Sequence, residues 1–216
     1  MQSFLSPTKD DATSKLSNPP RRMFTQHRRQ LSQQQRQHFA KLASLYLPTL
    51  HPRLPKKAKV AVYYDNFGEL PTQVILDWCY HLGYQAYLPV VGTFGNTRNN
   101  HDKRMRFAPI HRHKLCNLAT YPHSLGMPQI YSRKLIWAKQ LDVIFCPLVV
   151  ADKQGNRMGM GGGYYDTTLA DTYRLGLKKP LKIGWCYDFQ VVEKLARQPW
   201  DVPLDGLITP SGIRWF

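Results

Sequence analysis

Acidic residues are scarce in this sequence. Asp and Glu number 14 against 30 Lys and Arg in 216 residues, a formal net charge of +16 with histidine neutral. So lopsided a balance points to anionic partners, either nucleic acid or a polyanionic small molecule such as a nucleotide, and charge alone does not separate the two. Cysteine is also sparse. Cys79, Cys116, Cys146 and Cys186 lie far apart, and no pair has the spacing of a metal site, a redox motif or a disulfide framework. They read as buried thiols of a cytoplasmic protein in a reducing compartment. The longest apolar run, 143–151, is nine residues and contains Pro147, far short of the roughly 20 that a membrane-spanning helix needs. The first residues lack the basic start and apolar block of a secretory signal. No repeats appear, and no Ser/His/Asp or Cys/His set stands out. His101, His111 and His113 share no helix face or cysteine partner, so they make a poor metal site.

What remains is a globular composition, 43% hydrophobic. Residues 1–18 read as a disordered lead and 19–216 as a single domain. The basic stretch 21–46 places Phe39, Leu42, Leu45 and Tyr46 at helical spacing, with Pro19 and Pro20 as entry and Pro48 as stop. One or two amphipathic helices are expected there. From Lys59 the pattern changes. A short apolar strand (59–64), a helix (71–82) stopped by Gly83 and a second strand (86–91) form a β-α-β unit. Further strands are expected at 142–150, 182–187 and 206–209, with a helix at 164–175. The class is therefore α/β with a mainly parallel sheet. Residues 92–117, basic and rich in histidine, are too long for an ordinary connector and read as a functional or disordered loop.

The stretch RMGMGGGYYD, residues 157–166, follows the 142–150 strand and a turn and runs into a helix start. A glycine-rich loop at a helix N-terminus lets several backbone N–H groups converge on one anion, and the helix dipole adds favourable potential. Arg157 supplies fixed positive charge, Asp166 a hard oxygen for a cation, and Tyr164 and Tyr165 flat faces and hydroxyls. The pattern is neither the P-loop nor the dinucleotide fingerprint. On these residues alone, a phosphate cradle and a structural turn both stand.

The same stretch resembles the RLGxGxGYYD signature of the 5-formyltetrahydrofolate cyclo-ligase family. Collinear pieces are similar to the family as well: Gly68-Glu-Leu-Pro-Thr72, the 142–147 strand, Asp152 with Gly155, and the acidic segment 200–205. The resemblance spans about residues 20 to 210. It implies a three-layer α/β/α fold like that of the sugar-phosphate isomerase and CoA-transferase group. It also implies ATP- and magnesium-dependent conversion of 5-formyltetrahydrofolate to 5,10-methenyltetrahydrofolate.

By that match, Arg21, Arg157, Gly159, Gly161, Gly162, Gly163, Tyr164 and Tyr165 bind ATP, with Arg157 and Tyr165 also catalytic. Asp166 holds magnesium together with Asp201 or its neighbour Asp205. Glu69 meets the pterin, with Tyr64 and Tyr164 beside it. The family's first-helix lysine falls on Ser17 here, leaving Lys15 or Arg22 as substitutes for that ATP contact. The basic loop 97–114 is a candidate holder for a polyglutamate tail. No nucleic acid or membrane partner is implied, and oligomeric state is not legible. The competing readings are a basic nucleic-acid-binding α/β protein and an inactive relative that only binds folate or nucleotide. Asp166→Ala is expected to abolish turnover with little loss of fold.

Overall fold

A computed structural model describes residues 18–92, 103–111, 115–122 and 128–216. The expected lead, Lys15, Ser17, His101 and His113 lie outside the described residues. Two helices open the chain, because the sequence starts a helix twice. α1 (Arg21–Gln30) begins behind Pro20, whose ring fixes a φ suited to helix entry. Ser32 then restarts the chain as α2 (Gln33–Ser44) through a capping box: its Oγ accepts from the Gln35 N–H, and Gln35 Oε1 accepts from the Ser32 N–H. Pro48 does not end α2 abruptly; it sits in the first turn of a 3-10 segment, Leu47–Arg53.

The strands are β1 (Lys59–Ala61), β2 (Gln85–Val90), β3 (Arg106–Ile110), β4 (Thr120–Pro122), β5 (Pro128–Ile130), β6 (Val143–Cys146), β7 (Val150–Asp152), β8 (Arg157–Met158), β9 (Leu181–Trp185), β10 (Val191–Val192), β11 (Gly206–Thr209) and β12 (Gly212–Trp215). α3 (Gln73–Leu82) joins β1 to β2 and ends at Gly83, whose φ of 67° is the left-handed stop that glycine takes without penalty. α4 is Tyr164–Arg174. The main sheet runs β12-β11-β9-β6-β1-β2-β3. Its five inner strands are parallel, and antiparallel β3 and β12 form the edges. This is the expected class.

Alternate residues sort to the two faces. Val60, Val62, Val143, Phe145, Ile183 and Trp185 meet the α2–α3 side. Ala61, Ile144 and Cys146 pack instead with Leu169 of α4 and Ala138. A strand's period of two and buried residues on both faces give three layers.

Several expectations are corrected. The 59–64 strand ends at Ala61, although the Val62 N–H still reaches Tyr87 O at 2.9 Å. The 142–150 strand breaks after Cys146, where Pro147 cannot donate to the ladder; the chain then enters a second sheet, β10-β7-β8. The 92–117 segment is not all loop, since it contains β3. Cys116 is exposed, while the other three cysteines are buried.

Candidate active site

β1 continues through α3 to β2 on one side, and the chain later returns to place β6 on the other. At such a reversal, helices leave a crevice beyond the carboxyl ends of the strands. A cleft of about 970 Å³ opens there, walled by Tyr63 and Tyr64 after β1, and by Pro147 and Leu148 after β6. The predicted site residues Arg21, Tyr64, Glu69, Arg157, Gly159, Gly161, Gly162, Gly163, Tyr164, Tyr165, Asp166 and Asp201 all line it. Arg22 does not. It borders a shallow groove with Met23 and Gln26, because neighbouring residues on a helix point about 100° apart. Arg21 reaches the loop directly, its Nε donating to Gly159 O at 2.8 Å.

The small sheet aims the glycine stretch. Asp152 is fully buried and accepts from the N–H groups of Gln154, Asn156 and Leu195 and from Asn156 Nδ2, all at 2.8–2.9 Å. The tight turn that results brings β8 back along β7, so Arg157 enters the cleft from a fixed strand. Beyond it, no backbone N–H of residues 159–163 donates to another described residue. Gly161 and Gly163 take φ of 100° and 73°, the left-handed region. Gly163 caps α4 with no side-chain bond, so the first helical N–H groups are also open. The residues that carry these donors line the cleft together with Arg157 and Arg21.

Arg157 is deeply held. Its side chain is 4% exposed, and its Nη2 donates to Asp166 Oδ1 at 2.8 Å. Its Nε is buried without a partner, and its guanidinium lies 5.9 Å from the Tyr165 ring centre. Asp166 Oδ1 also accepts from the Val202 N–H at 3.1 Å. Asp166 is therefore tied into the fold at Arg157 and Val202, so its loss is expected to cost stability as well as turnover. Its Oδ2 has no described partner. Asp201 lines the cleft, with Oδ2 accepting from the Gln198 N–H. Asp205 does not line it, and its Oδ2 is taken by Lys182 Nζ at 2.7 Å. Of the two acids, Asp201 is the one at the cleft.

Glu69 forms the opposite wall. Burial pushes its carboxyl up to about 7, against the lowering influence of Arg28 and of the Asn66 N–H bond. Tyr165 is held well above its ordinary value by burial first, then by Cys146 and Glu69. Burial raises Tyr64 to about 12. The hydroxyls of Tyr64 and Tyr165 are buried with no partner among the described residues, and burial keeps both as neutral donors.

The profile of the 5-formyltetrahydrofolate cyclo-ligase family matches residues 14–210. The chain belongs to this family. It is 33% identical over 193 residues to the 5-formyltetrahydrofolate cyclo-ligase of Escherichia coli K12, covering 88% of this chain and 98% of that protein. It is 31% identical over 149 residues to the Haemophilus influenzae protein of the same name, covering 69% and 74%. The solved 5,10-methenyltetrahydrofolate synthetase of Aquifex aeolicus superposes with a TM-score of 0.66 at 26% identity, covering 90% of each chain.

Within this cyclo-ligase fold, sequence reasoning missed residues that come from elsewhere. Lys103 and Met105 line the cleft from the segment leading into β3, and Gln129 from β5. The Met105 N–H donates to Thr168 Oγ1 at 2.9 Å, which ties that arm to α4. Lys103 Nζ lies 4.0 Å from where a Cβ on Gly163 would stand. Phe67, a non-glycine residue at φ 51°, lies under the Arg29 guanidinium at 5.3 Å and lines the Glu69 side, a strained position of the kind that clusters at binding sites. Arg28, buried behind Glu69, carried no local signal in the sequence.

Proposed function

We propose that this chain catalyses the ATP-dependent cyclisation of 5-formyltetrahydrofolate to 5,10-methenyltetrahydrofolate with release of ADP and phosphate. Membership of the cyclo-ligase family supports the reaction. One observation carries the site: residues 159–163, whose N–H groups donate to no other described residue, line the same cleft as the largely buried Glu69. A triphosphate and a pterin require those two chemistries.

The free amides, the α4 N-terminus, Arg21 and Arg157 hold the ATP phosphates, charge-assisted bonds contributing about 1.5–3 kcal/mol each. Glu69 accepts the 2-amino and ring N–H donors of the pterin. Tyr164 and Tyr165 lie between nucleotide and folate, and Tyr64 lines the pterin side. The N-formyl oxygen attacks the γ-phosphorus, and the bond to the ADP oxygen breaks. The N5 lone pair moves into the C–N bond, giving an iminium phosphate. N10 then attacks the formyl carbon, the C–O bond to phosphate breaks, and N10 releases its proton. No side-chain nucleophile is needed. Arg157 steadies the charge that builds on the transferring group, and the remaining task is positioning.

Among the described residues no three His, Cys, Asp or Glu side chains cluster. That suits magnesium, which is usually held by one or two carboxylates together with phosphate oxygens. Asp166, with Oδ2 unpartnered, and Asp201 fit that pattern and would hold it. The ion would neutralise phosphate charge. Four free thiols accord with a reducing cytoplasm as the location.

The test mixes purified protein with 5-formyltetrahydrofolate, ATP and magnesium and follows methenyltetrahydrofolate absorbance and ADP together. Equal rates of both are expected. Folate and ATP binding without either product would reduce the chain to a binding protein, and salt-sensitive oligonucleotide binding in place of turnover would favour the nucleic-acid reading.

A further inference from the structure

We propose that Arg28 is a positioning residue for folate recognition: reaching from α1, its guanidinium holds the Glu69 carboxyl in place at the cleft wall and favours its charged form. This inference rests on the folate reading of the cleft.

Arg28 is 1% exposed and among the largest fully buried side chains. Among the described residues only Nη1 is engaged, donating to Leu148 O at 3.0 Å and to Glu69 Oε1 at 3.5 Å. Its Nε and Nη2 are buried without partners. A buried cation satisfied so sparingly is a poor packing element, because an apolar side chain of similar size would fill the space without desolvating a charge. Its charge is the property that burial retains.

The backbone holds the pair in register. Gly68 has φ 76°, and a Cβ there would fall 2.6 Å from Arg28 O. The last turn of α1 is thus seated against the turn that presents Glu69. The second Glu69 oxygen accepts from the Asn66 N–H at 3.1 Å, so the carboxylate is gripped at both oxygens. The other titratable groups near it are Asp65 on its own turn, Tyr63 after β1, Tyr165 on α4 and Tyr187 after β9. All are neutral or acidic, and among the described residues Arg28 is the cation that acts on Glu69. With a carboxyl titrating about 7, loss of that cation leaves only the Asn66 N–H bond to oppose burial. A protonated carboxyl cannot accept the paired pterin donors.

The test needs no turnover at first. Unliganded protein carrying 13C-labelled glutamate side chains is titrated by NMR, with Glu69 assigned by its loss in Glu69→Gln. In Arg28→Met the Glu69 midpoint is expected to rise by about one pH unit or more. In Arg28→Lys, which keeps a cation, it rises less. If Arg28→Met does not fold, Arg28→Gln supplies the neutral variant. In kinetics, the acid limb of kcat/KM for 5-formyltetrahydrofolate moves upward with the midpoint, while the KM for ATP does not follow. A folded neutral variant with an unmoved Glu69 midpoint overturns the proposal, as does a moved midpoint with an unmoved folate profile. Should the wild-type chain not convert 5-formyltetrahydrofolate at all, the functional reading falls, while the NMR titration still decides whether Arg28 governs Glu69.

Discussion

Asp166→Ala is the variant that any study of this cleft would make first, and its result will mix two effects. The carboxylate pairs at 2.8 Å with a guanidinium that is 4% exposed, and Asp166 itself is 23% exposed. Removing one partner of a fully buried pair costs about 3–5 kcal/mol, because the other charge is stranded. Partial access of water to Asp166 brings that to about 2–3 kcal/mol. The Val202 N–H also loses its acceptor, adding about 1 kcal/mol. The expected total is about 3–4 kcal/mol, a large share of a domain's stability. Urea unfolding followed by far-ultraviolet circular dichroism reads it as a lowered midpoint at unchanged slope. Asp166→Asn keeps an acceptor for Val202 and should lose about half as much. Arg157→Met with Asp166→Ala should recover part of the loss, since no charge is then stranded. If Asp166→Ala unfolds within about 0.5 kcal/mol of wild type, the pair is not structural and the reasoning fails. Lost turnover in Asp166→Ala therefore does not by itself assign a metal ligand. Magnesium dependence measured in the better-folded Asp166→Asn separates the roles.

Further outcomes follow from single positions. A carboxyl raised from its ordinary 4.5 to about 7 binds its proton more tightly in the folded chain than in the unfolded one. Glu69 therefore contributes stability that is full below pH 4.5, is lost as pH rises to about 7 and is flat above, a fall of about 3 kcal/mol at most. Glu69→Gln should remove that slope from the pH dependence of unfolding, and an unchanged slope would show that Glu69 titrates normally. Gly159→Ala adds a methyl that meets nothing within 4 Å, so the melting temperature should hardly move while the KM for ATP rises several-fold; an unchanged KM removes Gly159 from the phosphate cradle. Gly68→Ala forces a Cβ toward Arg28 O at a left-handed φ and should cost about 2–4 kcal/mol in urea unfolding. A loss under about 1 kcal/mol would mean that the turn and α1 can part easily.

What the chain alone determined was local in its physics. Gly83 stops α3 because only an unbranched backbone turns left-handed freely. The Ser32–Gln35 cap starts α2 within four residues, and apolar periodicity marked the parallel strands. The glycine stretch offered a phosphate cradle or a structural turn, and the sequence did not choose between them. Tertiary structure decided the rest. Which of two adjacent arginines meets the loop depends on how α1 docks, and Arg21 reaches Gly159 while Arg22 turns away. The edge strand β3 depends on pairing with β2, and its sequence, split by Pro109, shows no clean alternation. Arg157 and Asp166 were each legible as candidate ligands of phosphate and metal, but their mutual pairing needed the strand and helix to be placed. Arg28 and Glu69 stand 41 residues apart, and a charge's counterion is set by proximity and burial in space, which no spacing along the chain records.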